Sequence, residues 1–272
     1  MNEYMIKKHL SAFLLIGVLM MLYCLPAVGQ KVLGTIVKNG ELRIGTSGNQ
    51  PPYSMKSKTG ELIGFEIDLA NALATNMGVK LKLVQMPFSD LMDALKTNKV
   101  DAIMSGMTIT PERNLEALFA GPYTISGKAI LTKSRNVAAF NADTSSMAKK
   151  YKIVCLKGST SEQFVKTVMA KQELIAVSNY DEGVNMVIND QADAMVADKP
   201  ICVISIMKYP GKDLVTTEQP LTVEPIGVAL PSGDPQFLNL VSNYISTLQI
   251  SGTLEGLEQK WFKNGSWMLS VK

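Results

Sequence analysis

Beyond residue 40 the chain alternates short apolar runs with stretches whose apolar residues recur at helical spacing. Glu41 to Ser47 predicts a strand. Phe65, Leu69, Leu73 and Met77 recur every fourth position and Gly78 closes the run, which predicts a helix with a glycine stop. Val79, Leu81 and Leu83 alternate with Lys80 and Lys82, the pattern of a half-buried strand. Ser89 is placed to cap a helix running to about Lys99, and Val100 to Gly106 reads as a buried strand. The alternation then resumes, with strands at Lys152–Leu156, Glu173–Ser178 and Ala192–Asp198 and helices at Ser161–Ala170 and Asp181 to about Asn189. Strand and helix in turn imply βαβ units and a mostly parallel sheet, an α/β fold.

The pattern repeats once. Phe88-Ser89-Asp90 opens a helix that leads to Asp101-Ala102, and Tyr180-Asp181-Glu182 opens one that leads to Asp193-Ala194, with an offset of 92 residues at both ends. A shared helix–turn–strand frame predicts two similar α/β lobes with a cleft between them. Neither unit carries a G-x-G-x-x-G or a P-loop, so nucleotide binding has no motif behind it. In open parallel sheets ligands sit beyond the carboxyl ends of the strands. The positions that matter are then those just after Ser47, Met104, Leu156 and Val196.

The first residues have a different character. Lys7 and Lys8 precede an apolar run from Leu10 to Leu22, followed by Pro26-Ala27-Val28-Gly29. That is the pattern of a secretory signal peptide, with Ala27 and Gly29 as the small-x-small pair and cleavage expected before Gln30. The run is shorter than the ~20 residues that span a bilayer. Cys24 offers the alternative of lipid attachment, against which stands the bulky Tyr23.

Export changes what the composition means. The 272 residues are 46% hydrophobic, 19% charged and 7% aromatic, a globular composition with a formal charge of only +3. Removing Lys7, Lys8 and Glu3 from 27 basic and 24 acidic residues leaves 25 and 23, so no general electrostatic field favours nucleic acid. His9, the single histidine, lies in the export segment. The mature protein is therefore histidine-free, which excludes a Ser-His-Asp or Cys-His mechanism and a His-ligated metal. No metal or cofactor is expected. Cys155 and Cys202 remain in the mature chain, where a disulfide is permitted, but their strongly apolar surroundings favour buried free thiols.

The strand ends carry the candidate chemistry. After Met104 comes Ser105-Gly106-Met107-Thr108-Ile109-Thr110-Pro111-Glu112-Arg113. Thr110 suits an N-cap and Pro111 the first helical position, so Arg113 falls in a first turn, where a cation opposes the helix dipole at ~0.3–1 kcal/mol. A bound carboxylate would reverse that cost; the bland alternative is an ion pair with Glu116. After Leu156, Lys157-Gly158-Ser159-Thr160-Ser161-Glu162 offers backbone N–H and hydroxyl donors to an anion, or a plain capping box of Ser159 with Glu162. After Val196, Asp198 could accept an ammonium group or cap the helix from Lys199. After Ser47, Gly48-Asn49-Gln50-Pro51-Pro52-Tyr53 shapes a rigid loop. Phe88 lines a pocket or serves as a hydrophobic staple. Two carboxylate seats and one ammonium seat on facing lobes complement a free amino acid zwitterion.

These residues resemble the family 3 solute-binding proteins, the polar amino acid binding components of ABC transporters. The resemblance rests on Gly64-Phe65-Glu66-Ile67-Asp68-Leu69-Ala70, on Gly106 to Arg113, and on Pro122-Tyr123. It continues through Lys157 to Ser161, Asp193-Ala194 with Asp198 and Pro200, and Lys260-Trp261-Phe262, covering essentially the whole mature chain. It implies a two-lobe periplasmic-binding-protein fold of type II, joined by two crossovers near Tyr123–Lys128 and Glu224–Gly227. The division would be residues 1–29 for export, 30–124 and 225–272 for lobe one, and 125–224 for lobe two.

The resemblance further implies that Arg113 clamps a ligand carboxylate with help from Gly106, Thr108 and the backbone around Ser159 and Thr160. Asp198 would take the α-ammonium and Phe88 would pack on the ligand side chain. The family often has an acid where Ser47 stands and an aromatic where Gln50 stands. Lacking the acid, with Leu156 and Ala197 nearby, the site is expected to take a neutral L-amino acid. The implied partners are that amino acid and a membrane permease; the implied form is a periplasmic monomer. Some proteins of this fold are prephenate or arogenate dehydratases, which need a pocket carboxyl of raised pKa. Glu66 and Glu112 are not marked as such by their helix positions. A receptor sensor lobe would call for a membrane segment after the domain, and the sequence to Lys272 carries none.

Overall fold

The computed structural model describes residues 32–141 and 149–271. The export segment, Cys24 and the expected cleavage point lie outside the described residues. In chain order the strands are β1 (Glu41–Thr46), β2 (Met55–Lys56), β3 (Leu62–Ile63), β4 (Lys80–Gln85), β5 (Ala102–Ile103) and β6 (Ala117–Ser126). They continue with β7 (Lys128–Lys133), β8 (Lys152–Leu156), β9 (Glu173–Val177), β10 (Ala194–Asp198), β11 (Leu214–Thr216) and β12 (Glu224–Pro231).

Two five-stranded sheets form, one ordered β4-β1-β5-β12-β6 and the other β11-β7-β10-β8-β9. The strands read from the alternation pair in parallel: β1 with β4 and β5, and β8 with β9 and β10. The remaining pairings are antiparallel and come from β6, β7, β11 and β12, so each sheet is mixed. The chain leaves the first sheet at Ser126 and enters the second at Lys128, with Gly127 alone between them. A Cβ on Gly127 would lie 2.2 Å from the Thr222 carbonyl oxygen, so the two crossovers meet there. The chain returns from β11 to β12, which pairs with β6 from Glu224 opposite Ser126 to Pro231 opposite Ala117.

Local sequence accounts for the flanking helices. Helix Phe65–Asn76 buries Phe65, Leu69 and Leu73 on one stripe and ends where Gly78 takes φ +67. Each such leucine contributes roughly 1.5–3 kcal/mol by leaving water. Ser89 does not cap the next helix. It sits inside a 3₁₀ turn, Phe88–Asp90, its hydroxyl donating to Asp90, and the α-helix runs only from Leu91 to Lys96. The early stop is the turn at Asn98, which has φ 56. The strand expected over residues 100–106 is formal only at Ala102–Ile103, yet the ladder extends to Asp101 N–H on Arg43 O (2.8 Å) and Met104 N–H on Gly45 O (3.1 Å).

The repeat has a physical basis. In lobe one the Asp101 carboxylate accepts the Arg43 backbone N–H at 2.8 Å, and in lobe two the Asp193 carboxylate accepts the Lys152 backbone N–H at 2.8 Å. Each aspartate pins the start of one parallel strand to its neighbour. The carboxyl-terminal segment returns to lobe one, where Trp261 Nε1–H and Lys260 both donate to Asp68 and Phe262 packs edge-on against Tyr53 and Phe65. Cys155 and Cys202 are buried free thiols, each pushed up to about 12 by burial. Among the described residues no helix is long and apolar enough to cross a membrane.

Candidate functional site

The expected residues lie at the junction of the two lobes. Thr110 caps a single helical turn, Pro111–Asn114, its hydroxyl accepting the Arg113 N–H at 3.2 Å. The Arg113 side chain turns back into the junction. One guanidinium nitrogen donates to Thr108 O (2.9 Å), the other to Gly158 O of lobe two (3.3 Å), and the group stands 5.7 Å over the Phe88 ring. Glu116 pairs with Lys96 rather than with Arg113. Among the described residues Arg113 forms no ion pair. Burial pushes its pKa down, while the charges of Glu224 and Asp198 pull it back up. A guanidinium has five N–H donors, so carbonyls leave several for a bidentate carboxylate.

Ser47 and Gln50 are buried and bound together. The Gln50 side-chain oxygen accepts from Ser47 (2.8 Å) and Ser105 (2.6 Å). Thr108 and Thr160 face each other across the junction, hydroxyl to hydroxyl at 3.4 Å. Gly106, at φ +58, gives its N–H to Glu66 at 2.6 Å. That donor is committed within lobe one, and a Cβ on Gly106 would stand 3.2 Å from the Gln50 amide nitrogen.

Ser159 is likewise occupied. Its hydroxyl donates to Leu156 O (2.6 Å) and accepts the Glu162 N–H (3.3 Å), while Glu162 reaches Gly158 N–H (2.6 Å) rather than Ser159. It caps helix Thr160–Val168, and Thr160 is the residue of that pair that reaches the junction.

Asp198 stands at the first position before helix Lys199–Lys208 but makes no side-chain cap. Its carboxylate accepts Lys128 Nζ at 2.7 Å, and the same ammonium lies 3.5 Å from Glu224. Burial raises the pKa values of Tyr53, Glu66 and Tyr180, and the charge of Asp198 adds to each shift.

Local pattern misses one group, Lys128, and misjudges another, Glu66. Lys128 is a lone cation at the head of an apolar run, Ala129 to Leu131. Its helix position does mark Glu66 after all: it shares a face with the buried Ala70 and Leu73, at i+4 and i+7, so its carboxyl turns inward. Glu66 is fully buried. One oxygen accepts from Gly106 N–H and from the Tyr123 hydroxyl; the other has no hydrogen-bond partner. Burial raises its pKa to about 7, against the pull of those two donors. Cavities flank the junction on both sides. One of 530 Å³ reaches Gly48, Asn49, Gln85 and Met207; one of 580 Å³ reaches Arg113, Thr160 and Glu224.

Two mixed sheets, a double crossover and a charged junction between them define a two-lobed ligand-binding architecture. The chain belongs to the bacterial extracellular solute-binding proteins, family 3, whose model matches residues 42–264. It is similar to the L-cystine-binding protein TcyJ of Escherichia coli (strain K12), 28% identical over 85% of this chain and 86% of that one. It is 30% identical to an L-arginine-binding protein of Pseudomonas aeruginosa over 85% of this chain and 91% of that one. Among solved structures it resembles the ancestral amino acid-binding protein AncCDT-1, a precursor of cyclohexadienyl dehydratase, at 38% identity and TM-score 0.79, covering 85% of this chain and 99% of that one. The architecture is that of type II periplasmic binding proteins, and amino acid binding recurs among these relatives.

Proposed function

We propose that this protein is the extracytoplasmic binding component of an amino acid importer, taking a free L-amino acid with a neutral side chain. The observation that carries the proposal is Arg113. A cation drawn into a junction, bonded to two carbonyl oxygens and to no carboxylate among the described residues, is built for an incoming carboxylate. Thr108 and Thr160 flank it, Phe88 backs it, and Asp198 across the junction answers the ligand ammonium. Ser47 and Gln50 shape the side-chain end. With a serine in place of an acid there, a cationic side chain finds no counter-charge.

A ligand bridging Arg113 of lobe one and Asp198 of lobe two binds the closed arrangement better than an open one and shifts the population toward it. The crossovers at Gly127 and before Glu224 supply the hinge, with lobe one as residues 30–124 and 225–272 and lobe two as 125–224. Residues 1–29 direct export. The closed form is what a membrane permease would recognise, and the binding protein works as a monomer.

A thermal-shift screen of the twenty L-amino acids on the mature chain tests this. Stabilisation by one or more neutral amino acids is expected; none from any of them, with stabilisation by organic acids or peptides, overturns it. One observation favours a second reading, a dehydratase of the cyclohexadienyl type: Glu66 is a buried carboxyl whose pKa is raised to about 7. Its complete burial and its ties to Gly106 and Tyr123 keep it from a substrate, so binding remains the reading adopted. Product formation from prephenate would reverse that order.

A further inference from the structure

Lys128, Asp198 and Glu224 form a cluster at the hinge. Lys128 is the first residue of β7, where the chain enters lobe two, and it pairs in register with Asp198, the last residue of β10. Glu224 is the first residue of β12, where the chain returns to lobe one. Their side chains are 2%, 5% and 10% exposed. The backbone holds the arrangement: Lys128 N–H donates to the Thr222 hydroxyl (3.0 Å), which donates to Glu224 (2.9 Å). One ammonium thus serves two buried carboxylates, one on a strand of each sheet, and the cluster carries a net charge of one minus.

We propose that Lys128 is a specificity-determining residue, a built-in competitor for the ammonium seat on Asp198. The inference rests on the amino acid reading above. A ligand ammonium reaching Asp198 meets a carboxylate that Lys128 already holds at 2.7 Å. It must share that carboxylate, and Glu224 is the second anion onto which Lys128 can lean, at 3.5 Å. The ligand ammonium brings the buried charge to zero, which a carboxylic acid without an amino group cannot do. Lys128 therefore sets how strongly the site prefers an amino acid over its deamino analogue. Because Lys128 and Asp198 belong to one sheet and Glu224 to the other, that exchange also loads the hinge.

The test is calorimetry on wild type, Lys128→Met and Glu224→Gln. The probes are the twenty L-amino acids and the deamino acid matching the tightest binder, with circular dichroism melts confirming folding. Close charge pairs couple by more than about 1.4 kcal/mol, or tenfold, so Lys128→Met raises the preference for amino acid over deamino acid by about that factor or more. Glu224→Gln lowers it, since Lys128 then holds Asp198 alone; this variant stands in if Lys128→Met does not fold. Equal changes for both ligands in each variant mean a purely structural role and overturn the proposal, while wild-type binding leaves the amino acid reading intact. Amino acid binding by Lys128→Met but not by wild type supports the competitor outright. Binding by neither overturns both, a result told apart by the wild-type trace.

Discussion

The two lobes share a frame and differ in how their charged groups are held. In each, an aspartate 92 residues from its counterpart, Asp101 or Asp193, pins the first parallel strand through a backbone N–H. An aromatic residue, Phe88 or Tyr180, opens the preceding helical segment and is buried at the junction. The chemistry at the strand ends then diverges. Lobe one presents Arg113, held by two carbonyl oxygens and by no carboxylate among the described residues. Lobe two presents Asp198, already held by the buried Lys128. A shared scaffold thus carries one charge seat that is open to an anion and one whose counter-ion is supplied from within. On the proposed reading Arg113 awaits an anion from outside, while a ligand ammonium has to win Asp198 from Lys128.

That contrast orders the expected effects. The largest falls on the unpaired side. On the proposed reading Arg113→Ala removes the group that clamps the carboxylate, so affinity for amino acids and for plain carboxylic acids should fall together by roughly 100-fold or more. Calorimetry with both ligand classes checks this, and retained affinity for either would move the carboxylate seat elsewhere.

A smaller effect sharpens the contrast from behind lobe one. The pKa of Glu66, raised to about 7 by burial, means the folded protein holds a proton that the unfolded chain releases near 4.5. Between those values the folded state binds more protons than the unfolded one, so this group lowers stability as pH rises from about 4.5 to about 7. The span corresponds to at most about 3 kcal/mol. Glu66→Gln keeps an acceptor for Gly106 N–H and Tyr123 but cannot ionise. It should gain about 1–2 kcal/mol over wild type at pH 8 and gain nothing at pH 4.5, after the cost of an unpartnered amide N–H. Urea unfolding at the two pH values reads the difference; parallel pH profiles for variant and wild type would contradict it.

Much of this was legible in the residues themselves. Strand Lys152–Leu156 appears at the bounds its apolar run predicts, and helix Phe65–Asn76 ends at the expected glycine. The Thr110 cap and Pro111 start are as their types require. What local pattern could not carry is pairing at a distance. β12 lies against β6 with Glu224 opposite Ser126, and nothing in either segment's periodicity announces its partner. The same holds for charge. Glu116 is three residues from Arg113 and pairs instead with Lys96, twenty residues away. Asp198 draws its partner from 70 residues upstream. The motifs mark Gly106 and Ser159 as site positions, but the Gly106 N–H goes to Glu66, forty residues away, and the Ser159 hydroxyl to Leu156 within its own turn.

The central claim is that one ligand spans both lobes, carboxylate on Arg113 and ammonium on Asp198. It is tested most directly by titrating Asp198→Asn in the calorimeter with the tightest-binding amino acid and with its deamino analogue. The account predicts that the amino acid weakens at least about tenfold more than the deamino acid, since only the former uses the lost charge. Equal losses for the two ligands would contradict it.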